Sequence, residues 1–209
     1  MSDLAGKLAG KFIVIDGPDG AGKSTQLEML AGYLRGQGTD VCMTRDPGGT
    51  VIGDKIRRIL LDNAHTDMAI GCEILLYMAS RTQLMSEVIW PALQQGKCVL
   101  CDRWVSSTVA YQVAGGAATA DEVMTTYEIA LKGIRPDMTV ILDLPAEAGL
   151  ARLTAAPDRM EAKGLEFHKK VRRLFLEQAK IAPDIFAVID GAGSAAEVHQ
   201  RLLDALRNW

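Results

Sequence analysis

GPDGAGKST, residues 17–25, satisfies the pattern G-x-x-x-x-G-K-[ST] from Gly17 to Ser24. Its setting is also right. KFIVIDG (11–17) is a short apolar run ending in glycine, which predicts a buried strand, and STQLEMLAGYLRGQG predicts a helix closed by glycines. A glycine-rich turn between strand and helix presents backbone N–H groups and a helix N-terminus to an anion. The expected ATP-binding residues are Gly17, Pro18, Asp19, Gly20, Ala21, Gly22, Lys23, Ser24 and Thr25. Lys23 is placed to bridge the β- and γ-phosphates, and the Ser24 hydroxyl to hold Mg²⁺. Asp19 is the odd member, a carboxylate where a phosphate cradle calls for positive charge.

Outward from this loop the chain alternates. DVCMTRD (40–46), KCVLCDR (97–103), MTVILDL (138–144) and FAVIDG (186–191) predict four more strands. Helical patterns fill the intervals, at 51–62, roughly 67–95 with Pro91 as a kink or a new start, after 103, at 119–133, and toward the C-terminus. Strand–helix alternation predicts an α/β fold, a five-stranded parallel sheet with helices on both faces. No internal repeat, low-complexity tract or long linker divides the 209 residues, so a single domain over 1–209 is expected.

Hydrophobic content of 48% and charged content of 23% are those of a globular chain. A formal net charge of −3 supplies no basic surplus for nucleic acid. MSDLAGKLAGK lacks the apolar core of a signal peptide, and no stretch approaches the ~20 apolar residues of a membrane span. The expectation is a cytoplasmic protein without membrane or nucleic-acid partners. Of the cysteines Cys42, Cys72, Cys98 and Cys101, the last two form a C-x-x-C within an expected strand. Residues three apart on a strand point to opposite faces, so plain core cysteines are expected there rather than a metal or redox pair.

The class of phosphate-loop protein follows from what accompanies the loop. No NKxD-type guanine motif and no early DxxG switch is present, and the chain is short for a motor or helicase. A small kinase acting on a compact acceptor fits. Basic residues stand at predicted element ends, where open α/β sheets bind ligands: Arg45 in TRDPGGT and Arg103 in CDRW, with Arg81 on the long helix. An acceptor phosphate needs such donors. Tyr77 and Arg81 are four apart and share a helix face, so ring and guanidinium could receive a nucleobase. Core packing accounts for Tyr77 equally well on spacing alone. Asp102, at the end of the third strand, sits where a metal-side acid belongs, with an N-cap of the next helix as the other reading.

In this order, GPDGAGKSTQ, TRDPGGT, LLYMASRTQ, CDRWVSSTVAYQ, RPDMTVILDLP and DRME resemble the thymidylate kinase family over about residues 11–180. The TRDPGGT and CDRWVSSTVAYQ segments are far more specific than the phosphate loop. The resemblance implies a nucleoside-monophosphate-kinase-like fold with a lid at about 152–168. It implies that Tyr77, where the family usually has Phe, stacks on thymine and that Arg81 bonds the thymine edge. Thr108, Tyr111 and Gln112 would lie by the base and deoxyribose, with Tyr111 disfavouring a 2′-OH. Arg45 and Arg103 would contact the acceptor phosphate. Asp19 would lie near the acceptor and organise Mg²⁺ or the basic residues there. Asp46 stands where many relatives have Glu. Some members carry an arginine inside the phosphate loop. Gly20 occupies that place here, and Arg159 of DRME (158–161) matches the lid arginine of the bacterial-type members. Arg152 is a second candidate. His168, in the same stretch, is expected at the surface.

The expected reaction is transfer of a phosphoryl group from Mg-ATP to dTMP, giving dTDP, with Lys23, Asp19, Arg45, Arg103 and Arg159 as the catalytic set and Ser24, Asp19 and Asp102 at the metal. A kinase for another nucleoside or nucleotide such as dUMP, or a P-loop protein that binds ATP without turnover, are the alternatives. Family members are usually homodimers, and the apolar long helix (ILLYM, VIWPAL) offers an interface.

Overall fold

A computed structural model describes residues 4–154 and 156–209. The chain begins with α1 (Leu4–Leu8), whose Leu4 and Leu8 are buried, an element the sequence reading did not assign. Then follow β1 (Phe12–Asp16), α2 (Lys23–Gly36), β2 (Val41–Arg45) and α3 (Val51–Leu61). The predicted helix over 67–95 is resolved into α4 (Ile70–Leu84), a π-helical turn (Met85–Ile89) and α5 (Trp90–Gln94). Pro91 neither breaks this run nor starts a new one: the chain stays helical through Ile89 and Trp90, and the π-helical turn lies directly before the proline. The remainder is β3 (Cys98–Asp102), α6 (Val105–Ala114), α7 (Ala120–Leu131), β4 (Met138–Asp143), α8 (Ala146–Leu150), a 3₁₀ turn (Glu161–Lys163), α9 (Leu165–Ile181), β5 (Phe186–Asp190) and α10 (Ala195–Asn208).

The strands form one parallel sheet in the order β2-β3-β1-β4-β5. The central strands are short and apolar because both faces are covered. Ile13, Ile15, Leu100, Val140 and Leu142 pack beneath α1, α2 and α10. Phe12, Val14, Val99 and Cys101 face α4, α6 and α7. A smaller cluster around Ile141, Ala110, Tyr111 and Phe175 binds α9 to α6. Cys98 lies in the first cluster and Cys101 in the second, on opposite faces of the sheet as their spacing requires.

Every strand ends in a charged residue at the same edge: Arg45, Asp102, Asp16, Asp143 and Asp190 in spatial order. The apolar pattern stops there because the C-terminal edge is the open crevice of a parallel sheet. Among the described residues, no helix is long and apolar enough to cross a membrane.

Candidate active site

The loop after β1 wraps a cavity of about 740 Å³, bounded by residues 19–26, by Arg45, Asp46, Arg57, Asp102, Arg103 and Arg152, and on the far side by Gly191 and Gly193. Its shape depends on glycine at two places. Gly17 has φ 136°, and a Cβ there would lie 2.5 Å from the Leu142 carbonyl oxygen. Gly20 has φ 72°, and a Cβ would lie 2.0 Å from the Gly149 carbonyl oxygen of α8. An arginine at position 20 is thus excluded by backbone contact.

Lys23 is buried and its Nζ donates to the carbonyls of Gly17 (3.1 Å) and Pro18 (2.7 Å). Burial, then the neighbouring Arg103, push its pKa down to about 8. Ser24 Oγ donates to Asp102 Oδ2 at 2.9 Å, while Asp102 Oδ1 is buried with no partner among the described residues. Trp104, not Asp102, is the N-cap residue of α6, so the capping alternative for Asp102 falls. A hydroxyl beside an under-satisfied carboxylate, with phosphate and water to complete the shell, suits Mg²⁺.

Asp19 belongs elsewhere. Its Oδ1 accepts from Arg103 Nη2, and its Oδ2 accepts from Tyr111 Oη at 2.6 Å. Burial pushes the carboxyl up, but Arg103, Lys23 and the Tyr111 hydrogen bond outweigh it and leave the pKa lowered. Asp19, expected at the metal, has both oxygens turned toward Arg103 and Tyr111, while Ser24 pairs with Asp102. Arg103 has φ 67°, a strained conformation for a non-glycine residue. Its Nη1 donates to the Gly17 carbonyl (3.1 Å) and Ser107 Oγ (2.9 Å), and the guanidinium lies 5.3 Å from the Tyr111 ring centroid.

Beneath this network is a second, smaller cavity of about 130 Å³, lined by Tyr77, Arg81, Thr108, Tyr111 and Gln112 together with Asp19, Arg57 and Arg103. Arg81 is 1% exposed; its Nε donates to Asp46 Oδ2 (2.8 Å) and its Nη2 to Thr108 Oγ1 (2.9 Å). Burial raises the Asp46 pKa, with Arg81 opposing. Both polar atoms of the Gln112 amide are buried without partners among the described residues. An unsatisfied amide on a cavity wall is costly until a ligand meets it. Tyr77, Arg81, Thr108, Tyr111 and Gln112, scattered over 36 positions of sequence, thus converge on one pocket.

Arg45 lines the large cavity but is exposed, 3.3 Å from Asp54. Arg159 is placed differently from expectation. It is 9% exposed, and it donates through Nε to the Leu60 carbonyl (2.8 Å) and through Nη2 to Glu73 of α4. It borders neither cavity. The arginine of this stretch at the phosphate loop is Arg152, whose Nη1 lies 3.3 Å from the Gly20 carbonyl. His168 is buried, 2% exposed, rather than at the surface.

The sequence reading also left out Asp16 and Arg57. Asp16, the last residue of β1, is fully buried and accepts from Gly17 N (2.8 Å), Ser106 Oγ (2.6 Å) and Ser107 Oγ (2.7 Å), fastening α6 to the loop. A carboxylate ending an apolar strand was the available signal. Arg57 borders both cavities and donates to the Pro47 carbonyl at 2.9 Å. Its place in an Arg-Arg pair on an amphipathic helix resembles a solvated face, and nothing local distinguishes it.

A parallel sheet, a phosphate loop over one cavity and a second, smaller pocket lined by arginines define a P-loop kinase of the nucleoside monophosphate kinase type. The family model for thymidylate kinase matches residues 15–202. The chain is 43% identical over 201 residues to a thymidylate kinase of Pseudomonas putida (strain GB-1), spanning 95% of each chain. It is 44% identical over 201 residues to one of Ectopseudomonas mendocina (strain ymp), again over 95% of each. The crystal structure of thymidylate kinase from Ehrlichia chaffeensis superposes with a TM-score of 0.77 at 28% identity, covering 95% of this chain and 99% of that one. The chain belongs to the thymidylate kinase family.

Proposed function

We propose that the protein transfers the γ-phosphoryl group of Mg-ATP to the 5′-phosphate of dTMP, giving dTDP. One observation carries the reading: the phosphate-loop cavity and the smaller pocket share Asp19, Asp46, Arg57 and Arg103 as a common wall. A donor phosphate in the first and an acceptor phosphate in the second meet at those residues.

The acceptor oxygen is already ionised, so the protein's work is positioning and charge neutralisation. Lys23 exchanges the loop carbonyls for the β- and γ-phosphates of the donor. Arg103 and Arg57 hold the acceptor phosphate, with Arg45 at the open side. Asp19 keeps the Arg103 guanidinium in place and, through Tyr111, defines the sugar side, where the tyrosine disfavours a 2′-OH. The Tyr77 ring stacks on the base, and Arg81, Thr108 and the Gln112 amide read its edge. Ser24 and Asp102 would hold Mg²⁺, which would supply neutralisation of developing phosphate charge. Residues 152–168 act as a lid, and Arg152 brings the mobile positive charge to the transferred group.

A panel of dTMP, dUMP and thymidine with ATP and Mg²⁺, followed by ADP release, tests the reading. Turnover with dTMP well above the others is expected. Preference for dUMP or a nucleoside would replace the acceptor assignment, and no turnover with any would favour a non-catalytic ATP binder. The chain acts in the cytoplasm as a homodimer in this reading. Exposed Ile52 and Ile59 on α3 and Leu75 on the adjoining α4 supply an apolar face for a second copy.

A further inference from the structure

His168 is a buried ionisable side chain for which the reaction above has no use. It stands at the start of α9, 2% exposed, with its ring 5.4 Å from that of Phe167. Its Nε2 lies 3.1 Å from the Glu161 carbonyl oxygen in the 3₁₀ turn. A carbonyl only accepts, so Nε2 carries the hydrogen. The other ring nitrogen, Nδ1, faces Asp19 Oδ2 at 3.9 Å, longer than a hydrogen bond. The imidazole therefore spans the gap between the turn after DRME and the acid of the phosphate loop. Asp19 in turn holds Arg103 and Tyr111, both on the wall of the smaller pocket.

We infer that His168 is a positioning residue that couples the seating of the 158–163 turn to the orientation of Asp19, and through Asp19 to the Arg103 and Tyr111 that receive the acceptor. When the turn is seated, the Glu161 carbonyl fixes the ring plane, and the fixed ring completes the surroundings of Asp19 Oδ2. When the turn lifts, Asp19 keeps Arg103 and Tyr111 but loses its third neighbour. The acceptor pocket is thereby made sensitive to the position of a segment that borders it through Met160 and Glu161. The inference rests on the acceptor reading above.

A double-mutant cycle on dTMP affinity tests it, because binding is measurable in variants too slow to assay. His168→Gln keeps a donor in the place of Nε2 and removes the group facing Asp19; His168→Asn does the reverse. Calorimetric titration with dTMP should show His168→Gln weakening binding about fivefold in the otherwise native chain and by a negligible factor in the Asp19→Asn background. His168→Asn should lose affinity to a similar extent, since it breaks the tie at the turn. Melting temperatures identify any variant that loses affinity through unfolding, and the remaining substitution then carries the cycle. Equal losses in both backgrounds would reduce His168 to a packing residue, and native affinity in His168→Gln would remove the coupling. Failure of the unsubstituted chain to bind dTMP would remove the acceptor reading itself and this inference with it.

Discussion

Arg159 pairs with Glu73 of α4, and both side chains are buried, 9% and 4% exposed. The pair pins the 158–161 segment to the helices beneath it, with the Leu60 carbonyl as a third partner. With the segment seated, Arg159 borders neither cavity, whereas Arg152 stands exposed at the rim of the phosphate cavity.

Substituting the two arginines should therefore separate stability from turnover. Arg159→Ala leaves Glu73 buried and unpaired, so a loss of about 3–5 kcal/mol in unfolding free energy is expected. Arg152→Ala should leave the melting curve nearly unchanged and lower kcat about 10²-fold with a smaller change in KM for dTMP. Denaturant titration and steady-state kinetics on the pair decide it. The reverse pattern would return the catalytic charge to Arg159.

Arg103→Ala removes an acceptor-phosphate donor and the partner of Asp19 together. Turnover should fall about 10²–10³-fold while ATP still binds. Near-native rates would take Arg103 out of the transfer site.

Lys23 makes ATP binding pH-dependent. In the free protein its pKa is about 8, and triphosphate in place of the loop carbonyls raises it. Above pH 8 binding must take up a proton, so affinity should fall as pH rises. Titration near pH ~9 in buffers of different ionisation enthalpy should show uptake approaching one proton, absent in Lys23→Met. The same shift sets a stability slope. Between about 8 and the ordinary 10.5 the unfolded chain binds the proton that the folded chain has released, so Lys23's cost to stability is relieved as pH rises through that window.

Asp102→Asn keeps the side-chain shape and removes the charge facing Ser24. The Mg²⁺ concentration for half-maximal rate should rise about tenfold or more, with binding of dTMP alone unchanged. An unaltered Mg²⁺ dependence would move the metal away from this corner.

The sheet was legible because short apolar runs ending in glycine or charge alternate with helical patterns, and each predicted strand lies within a residue or two of its place. The phosphate loop and the acceptor set Tyr77, Arg81, Thr108, Tyr111 and Gln112 were legible from motif and resemblance. The errors share a cause. Arg159 and His168 lie in a charged, proline- and glycine-broken stretch that reads as solvated surface, and only the packing of that stretch on α3, α4 and the phosphate loop buries them. Arg57 escaped for the same reason. Side chains whose environment is made by distant segments leave no local pattern.

The approach of Gly20 to Gly149 is mutual: a Cβ on Gly149 would lie 2.3 Å from the Asp19 carbonyl oxygen. Neither position can acquire a side chain while the other backbone stays where it is. A route by which descendants of this chain place an arginine at position 20 would first have to displace α8, a step disfavoured on its own. The two glycines thus work as a ratchet in sequence space, holding this lineage to a phosphate loop without a side chain at that position.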